Sequence, residues 1–212
     1  MNVTAICGDF YHAAAPYAHA LKKAAEGGDV RLRTICYPTA FAHEMLADCD
    51  VLVLCKEGVI PGAAISERWI DRKGEEVIGR FVADGGTLFG WHSGLASYDP
   101  EGPIHAMYGG RFHGHPPEHE FELRGTAQKS PLWPGDEGFG MSDELYRFSL
   151  DEAGTILWLE GHSKEHGVHP VGWTRRHGKG IVHALTVAHN GRYLRDERMQ
   201  RLLRHIMTKS GF

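Results

Sequence analysis

His92 stands on a turn of the kind that often carries a reactive side chain. It lies in the run GGTLFGWHSGL, at residues 85–95, where a short apolar strand leads into a turn bounded by Gly90 and Gly94. The pattern G-W-H-S-G has the outline of a nucleophile elbow, which exposes one side chain above a parallel sheet. Where the hydrolase motif has serine, this sequence has histidine, which can act as a base or bind a metal ion.

A second histidine, His189, follows another apolar strand, GIVHALTV, at residues 180–187. Ligands of open parallel sheets bind beyond the carboxyl ends of the strands, so both histidines are predicted to reach the same edge. The same rule selects Asp9, Tyr11 and His12 after the first strand. For His12 two roles remain open, a helix cap and a ligand-binding side chain.

Other charged and histidine residues receive structural interpretations. Lys56 and Glu57 follow the third predicted strand and are interpreted as a solvated loop pair. Asp143 and Glu144, taken without further information, are interpreted as surface charge before a strand. His183 lies inside an apolar strand, as satisfied core histidines do. An exposed polar loop is predicted for the segment that holds three further histidines, namely His162, His166 and His169.

The elements that position these residues alternate along the first half of the chain. Continuous apolar runs at residues 2–7, 50–55 and 87–91 are typical of buried parallel strands. Helical patterns lie between the strands, which predicts a mostly parallel sheet with helices on both faces. In the second half, strands are predicted in the runs HEFELRG, ELYRFSL, GTILWLE, HPVGWTRR and GIVHALTV, before a closing helix. No linker is evident, so residues 1–212 are predicted to form one domain.

The composition argues against several classes of partner. In 212 residues, 23 Lys and Arg nearly balance 27 Asp and Glu, so neither nucleic acid nor a membrane is a predicted partner. No apolar run has the length of a membrane span, and the N-terminal run lacks the features of a secretory signal. The four cysteines form no CxxC pair, which predicts buried, reduced thiols in a cytoplasmic protein. A homo-oligomer is predicted from the fold class alone.

Several runs occur in an order that resembles the ThuA family, named for trehalose utilisation. They are GGTLFGWHSGL, MYGGRFHGHP, DELYRF and PVGWTRRHGKGIVHALTVAHN, with the closing helix after them. The resemblance extends from Gly85 to the end of the chain, with a weaker match at GDFYH. It implies an α/β fold, a flavodoxin-like three-layer sandwich with a mostly parallel central sheet, like that of class I glutamine amidotransferases. It also implies a role with trehalose or a related small carbohydrate.

The residue on the elbow separates this chain from the amidotransferase pattern, which has cysteine where this sequence has His92. Amide hydrolysis by that route needs a thiolate beside a base. The four cysteines lie elsewhere, in or beside apolar strand-like runs, at Cys7, Cys36, Cys49 and Cys55. The sequence therefore predicts that the chain lacks glutaminase activity.

His92, Glu144 and His189 are the predicted catalytic residues, and Glu144 joins them through the DELY run of the resemblance. The three side chains can hold a divalent metal such as zinc, with His12 as a fourth ligand. Without a metal, His92 and Glu144 can act as a general acid–base pair. The predicted substrate-binding residues are His12, Tyr11, Ser93, His113, His115 and Tyr146. Two functions remain open: a metal-assisted hydrolase or other sugar-modifying enzyme, and a non-catalytic module that binds a small molecule or a partner.

Overall fold

Both halves of the chain contribute strands to a large mixed sheet. The computed structural model describes residues 1–60, 67–128, 130–133 and 138–208. The strands of the first half are β1 (Asn2–Cys7), β2 (Arg31–Cys36), β3 (Val51–Cys55) and β4 (Thr87–Trp91). Those of the second half are β5 (Gly110–Phe112), β6 (His119–Gly125), β7 (Phe139–Asp143), β8 (Phe148–Leu150), β9 (Thr155–Ser163), β10 (Gly167–His177) and β11 (Gly180–Leu185).

The order of the strands divides the sheet into a parallel and an antiparallel half. Among the described residues the order is β2-β1-β3-β4-β11-β10-β9-β6-β7, and β5 pairs with β8 separately. The first five strands of that order run parallel, and the pairings from β11 to β7 are antiparallel. The parallel sheet predicted for the first half of the chain is confirmed. Register shifts between Pro170 and Trp173 interrupt the pairing of β10 with β9, and such irregularities bend a strand and increase its twist.

Helices cover both faces of the parallel half because its strands present apolar side chains on each face. In β3, Val51 and Val53 belong to one buried cluster, and Leu52 and Leu54 belong to another. The first cluster packs under α1 (Ala14–Ala25) and α5 (Glu197–Thr208), and the second under α2 (Arg72–Ala83) and α3 (Pro103–Tyr108). A short helix, α4 (Gly191–Leu194), precedes α5. The predicted α/β fold, a large sheet packed against helices, is thus confirmed.

The second half departs from the predicted elements in two places. The strand expected over ELYRFSL begins only at Phe148, because residues 144–147 link β7 to β8 without regular structure. The expected polar loop around His166 is a hairpin instead, in which His162 belongs to β9 and His169 to β10. The local sequence favoured a loop because the tip of the hairpin is polar. The pairing of β9 with β10 extends well beyond that tip, to Thr155 and Arg175.

The four cysteines are free, and their surroundings differ. Cys7 and Cys55 are buried in parallel strands, as expected. Cys36 is exposed and Cys49 only partly buried, which corrects the prediction that all four are buried. No helix in the described part of the chain is long and apolar enough to cross a membrane.

His183 is a core histidine, as its apolar strand predicts. It is buried in β11, where its Nδ1 lies 2.9 Å from the hydroxyl of Thr174. The indole N–H of Trp158 donates to the same hydroxyl at 3.1 Å, so the hydroxyl proton is free to be donated to the imidazole. Burial, with a smaller effect of His205, lowers the pKa of His183 to about 3.

Acidification is expected to destabilise the protein through His183. Its pKa is about 3 in the folded protein against 6.5 for the free side chain, so between these values the unfolded chain binds more protons. The free energy of unfolding therefore falls as the pH drops below 6.5. This one residue contributes at most about 1.4 kcal/mol per pH unit. Urea unfolding at a series of pH values on both sides of 6.5 measures the slope.

A variant separates His183 from the other histidines. His183→Gln is expected to show a shallower pH dependence of the unfolding free energy than the wild type. His177→Gln, a change of a half-buried histidine on the neighbouring strand, serves as the control and should keep the wild-type slope. Equal slopes for His183→Gln and the wild type would contradict the assignment.

Candidate metal and ligand site

Four side chains converge at the carboxyl edge of the parallel half of the sheet. His12 follows β1, His92 follows β4, His189 follows β11, and Glu144 follows β7. One nitrogen or oxygen atom of each lies within 4.8 Å of those of the other three. The structure thus brings together the predicted trio and His12, and these four residues are called the cluster below.

The turn that carries His92 is fixed by its backbone. His92 has a φ of 49°, which non-glycine residues adopt infrequently, and it begins a short 3₁₀ helix, His92–Leu95. A Cβ atom on Gly94 would lie 1.8 Å from the carbonyl oxygen of Leu54, so only glycine fits there. The His92 side chain is completely buried, whereas the elbow motif predicts an exposed one.

His92 presents a lone pair to the cluster. Its Nδ1 donates to the carbonyl oxygen of Thr186 at 2.7 Å, so Nε2 of the neutral ring is unprotonated. Oε2 of Glu144 lies 3.4 Å from that Nε2. Two electron-rich atoms at this separation repel each other unless a proton or a metal ion lies between them, so the arrangement favours a cation.

The distances between ligand atoms match those around a small tetrahedral ion. With metal–nitrogen distances near 2.1 Å, neighbouring ligand atoms of a tetrahedral zinc site are about 3.4 Å apart. His92 Nε2 lies 3.1 Å from His189 Nδ1 and 3.4 Å from Glu144 Oε2, and the last two atoms are 3.6 Å apart. These three atoms form one face of such a tetrahedron, and His12 stands beside them.

Asp9 holds His12 in place. Its Oδ1 accepts hydrogen bonds from His12 Nδ1 at 2.6 Å and from the backbone N–H groups of Tyr11 and His12. Burial alone would raise the pKa of Asp9, but the hydrogen bond and charge of His12 outweigh it and lower that pKa. The Nδ1 atom is thereby committed to the carboxylate and Nε2 is left for a ligand, an arrangement common around metal-binding histidines. Helix capping does not explain His12, because Ala13 is the N-cap of α1 and has no side-chain cap.

Asp143 joins two members of the cluster through their backbones. Its Oδ1 accepts from the N–H of Glu144 at 2.9 Å, and its Oδ2 accepts from the N–H groups of Ala188 at 2.7 Å and His189 at 3.2 Å. Ala188 has a φ of 75°, a strained conformation for alanine that these bonds help to hold. Asp143 is buried, so the interpretation of this residue as surface charge was wrong.

The protonation of the cluster suits a metal ion. Burial raises the pKa of Glu144, but the surrounding histidines, His92 first and then His189 and His115, outweigh burial and lower that pKa. Burial, followed by the charge of His92, lowers the pKa of His189. At neutral pH Glu144 is therefore a carboxylate and His189 a neutral imidazole, which are the forms that bind metals.

His115 and Tyr146, two of the residues predicted to bind substrate, border the cluster. The Tyr146 hydroxyl lies 3.3 Å from His92 Nε2, and His115 Nε2 lies 3.5 Å from Glu144 Oε2. The two rings stack with an interplanar angle of 17°. Burial, followed by the charge of Glu144, raises the pKa of Tyr146 well above its usual value, so this phenol stays protonated and can donate.

The other predicted substrate-binding residues lie at different distances from the cluster. Ser93 is buried next to His92, and its hydroxyl helps to lower the pKa of Asp9. Tyr11 is largely exposed and its ring packs edge-on to that of His12. His113 is exposed and bonds the hydroxyl of Ser149, so the structure does not bring it to the cluster.

Lys56 and Glu57 are buried, and the prediction of a solvated loop pair was wrong. Only 4% of Lys56 and 8% of Glu57 are exposed. Both follow β3, which lies between β1 and β4 in the sheet, so they sit between the strands that lead to His12 and His92. Burial lowers the pKa of Lys56, and burial with the charge of Asp9 raises the pKa of Glu57. The sequence did contain a signal that these two residues belong to the ligand-binding edge, namely their position directly after a central strand.

Comparison with known proteins gives a family match over nearly the whole chain. The family described as ThuA, trehalose utilisation, matches residues 2–207. No curated protein matches the chain.

Similar folds occur in several solved structures. A ThuA-like protein from Parabacteroides merdae ATCC 43184 has a TM-score of 0.76 at 15% identity, with 99% of this chain and 89% of that chain covered. A ThuA-like protein from Bacteroides uniformis ATCC 8492 has a TM-score of 0.70 at 14% identity, covering 95% and 87%. A β-galactosidase from Bacillus circulans sp. alkalophilus has a TM-score of 0.62 at 13% identity, covering 94% of this chain but 30% of the enzyme. At these identities the structures share the fold, and the family match shows that the chain belongs to the ThuA family.

Proposed function

We propose that this protein is an enzyme that acts on a small carbohydrate derivative with a divalent metal ion bound by the cluster. The observation that carries the proposal is the convergence of four ligand atoms within 4.8 Å of one another, with His12 oriented by Asp9 and His92 by Thr186. Three imidazoles and one carboxylate favour zinc or a similar transition metal. The family's description as trehalose utilisation supports the class of substrate, of which trehalose and related disaccharides are members.

The metal would supply Lewis acidity, and the residues around it supply orientation and protons. His92 and His189 would each offer a ring nitrogen as a ligand, and the Glu144 carboxylate adds the negative charge that a divalent cation needs. Tyr146, protonated and buried against His92, is placed to donate a hydrogen bond to an oxygen of the substrate. His115 stacks on Tyr146 on the more exposed side, where it can contact the sugar.

The same geometry supports the absence of glutaminase activity. An amidotransferase-like, flavodoxin-like core is part of this proposal, and its elbow position is taken by His92 rather than cysteine. Burial raises the pKa of Cys55 well above its usual value, and both Cys7 and Cys55 lie within strands. A thiol in such surroundings is a poor nucleophile.

Metal-dependent turnover tests the proposed function. Protein purified without chelator and loaded with Zn²⁺, Mn²⁺ or Co²⁺ would be incubated with trehalose, other disaccharides and their keto forms, with products followed by mass spectrometry. We expect turnover of one of these compounds that is lost on chelation and restored by metal, and no release of ammonia from glutamine. Carbohydrate binding without turnover under any metal condition would favour the binding module instead. Binding of an unrelated metabolite alone would refute the substrate class.

A further inference from the structure

Glu57 is a buried carboxylate whose surroundings fix its position but satisfy only one of its oxygens. Oε2 accepts from the hydroxyl of Ser97 at 3.2 Å. Oε1 is buried and has no hydrogen-bond partner among the described residues. Buried carboxylate oxygens are normally bonded, so one that is not requires an explanation.

The loop that carries Glu57 is locked against the segment that follows the His92 turn. The Tyr98 hydroxyl donates to the carbonyl oxygen of Lys56 at 2.7 Å. The backbone N–H of Gly58 donates to the carbonyl oxygen of Ala96 at 3.0 Å. A Cβ atom on Gly58 would lie 2.4 Å from the carbonyl oxygen of Ser97, so the two segments are in close contact. The backbone that carries Glu57 is therefore fixed, and Ser97 holds one oxygen of the carboxylate; ligand-binding groups are commonly supported in this way.

Glu57 also lies within the ligand-binding edge of the sheet. It follows β3, the strand between those that lead to His12 and His92. Its own N–H donates at 3.2 Å to Oδ2 of Asp9, the residue that holds His12. Its charge also acts on Tyr146, whose hydroxyl lies 3.3 Å from His92 Nε2.

We propose that Glu57 is a ligand-binding residue whose Oε1 accepts a hydrogen bond from a hydroxyl group of the bound carbohydrate. The assignment rests on the proposed function for the class of ligand and adds a second carboxylate to the site. Polyhydroxylated ligands suit this oxygen because a hydroxyl donates to a carboxylate in a charge-assisted bond. Lys56, which bonds the carbonyl oxygen of Gly8 at 3.3 Å and has three donors, lies beside it with a compensating charge.

The Glu57→Gln variant separates ligand binding from a structural role. It keeps the size of the side chain and removes the charge, so the affinity for carbohydrate is expected to fall about 10-fold or more. Because the variant also removes a buried charge that is only half satisfied, its melting temperature without ligand should equal or exceed that of the wild type. Zinc affinity should stay at the wild-type value, since Glu57 is outside the cluster.

Glu75→Gln is the matched control. Glu75 is also a buried glutamate, but its two oxygens accept from the backbone N–H groups of Asp99 and Ile104. Its replacement is expected to lower the melting temperature and leave carbohydrate and zinc binding unchanged. Glu57→Asp, which keeps the charge and withdraws the oxygens, provides a second test and should also bind carbohydrate more weakly.

The measurements are isothermal titration with trehalose and separately with D-glucose, zinc titration, and thermal unfolding of each protein. Weaker carbohydrate binding by both Glu57 variants, with unchanged zinc affinity, supports the proposal. Carbohydrate affinity of Glu57→Gln equal to that of the wild type overturns it, as does a wild type that binds neither probe. A wild type that binds carbohydrate but no zinc refutes the proposed metal site, and the comparison of carbohydrate affinities still decides the role of Glu57.

Discussion

Replacement of His92 by alanine is expected to weaken zinc binding by more than about 100-fold and to abolish turnover. Loss of a residue that only orients a metal ligand already costs about 10–100-fold in affinity, and His92 is itself a central ligand. Its Nε2 lies within 3.4 Å of both His189 Nδ1 and Glu144 Oε2. The alanine variant therefore loses the ligand atom that is adjacent to both of the others. Zinc affinity by competition with a chromophoric chelator, and metal content after dialysis, measure the effect.

Two further variants keep this test interpretable. Because His92 has a positive φ, alanine adds backbone strain, and His92→Asn, which tolerates that conformation better, should lose zinc in the same way. His43→Ala changes a histidine whose side chain is 76% exposed and should bind zinc like the wild type. A folded His92→Ala protein that binds zinc and turns over substrate normally would return His92 to a structural role.

Replacement of Asp143 by asparagine is expected to weaken zinc binding by about 10–100-fold. The carboxylate accepts three backbone N–H groups, and an asparagine amide offers one acceptor oxygen and an NH₂ group that faces the remaining donors. The backbones of Glu144 and His189 should therefore shift together, although Asp143 contributes no atom to the cluster. The visible spectrum of the Co²⁺-loaded variant should also change, since it reports the geometry of the ligands.

Comparison with other aspartates identifies the cause of the Asp143 effect. Among the four residues of the cluster, Asp9→Asn directly disturbs only His12, and it should therefore cost less zinc affinity than Asp143→Asn. Asp151→Asn removes a carboxylate that accepts from the N–H of Ala153 and pairs with Arg175, neither of which belongs to the cluster, and it should leave zinc binding unchanged. A Co²⁺ spectrum and zinc affinity unaltered by Asp143→Asn, with only the melting temperature reduced, would limit Asp143 to a structural role.

The sequence by itself determined the parallel half of the sheet and much of the cluster. Continuous apolar runs mark buried parallel strands, and parallel strands end at one edge, so His12, His92 and His189 could be placed near one another without coordinates. The glycines around His92 indicated a tight turn, and Gly94 is required where the turn approaches Leu54. These features follow from local composition and from the direction of strands, which a sequence pattern records.

Only the tertiary structure decided which polar residues join that edge from elsewhere. Asp143 is the last residue of β7, and Glu144 follows it. β7 lies four strands away from β11 in the sheet order, yet Asp143 accepts hydrogen bonds from the backbone N–H groups of Ala188 and His189. Long-range packing therefore brings the end of β7 back to the segment that follows β11. In the same way His115 reaches Glu144 whereas His113 does not, and Lys56 and Glu57 are buried because the segment after His92 packs on them. Such contacts depend on long-range packing, which no local pattern in the sequence specifies.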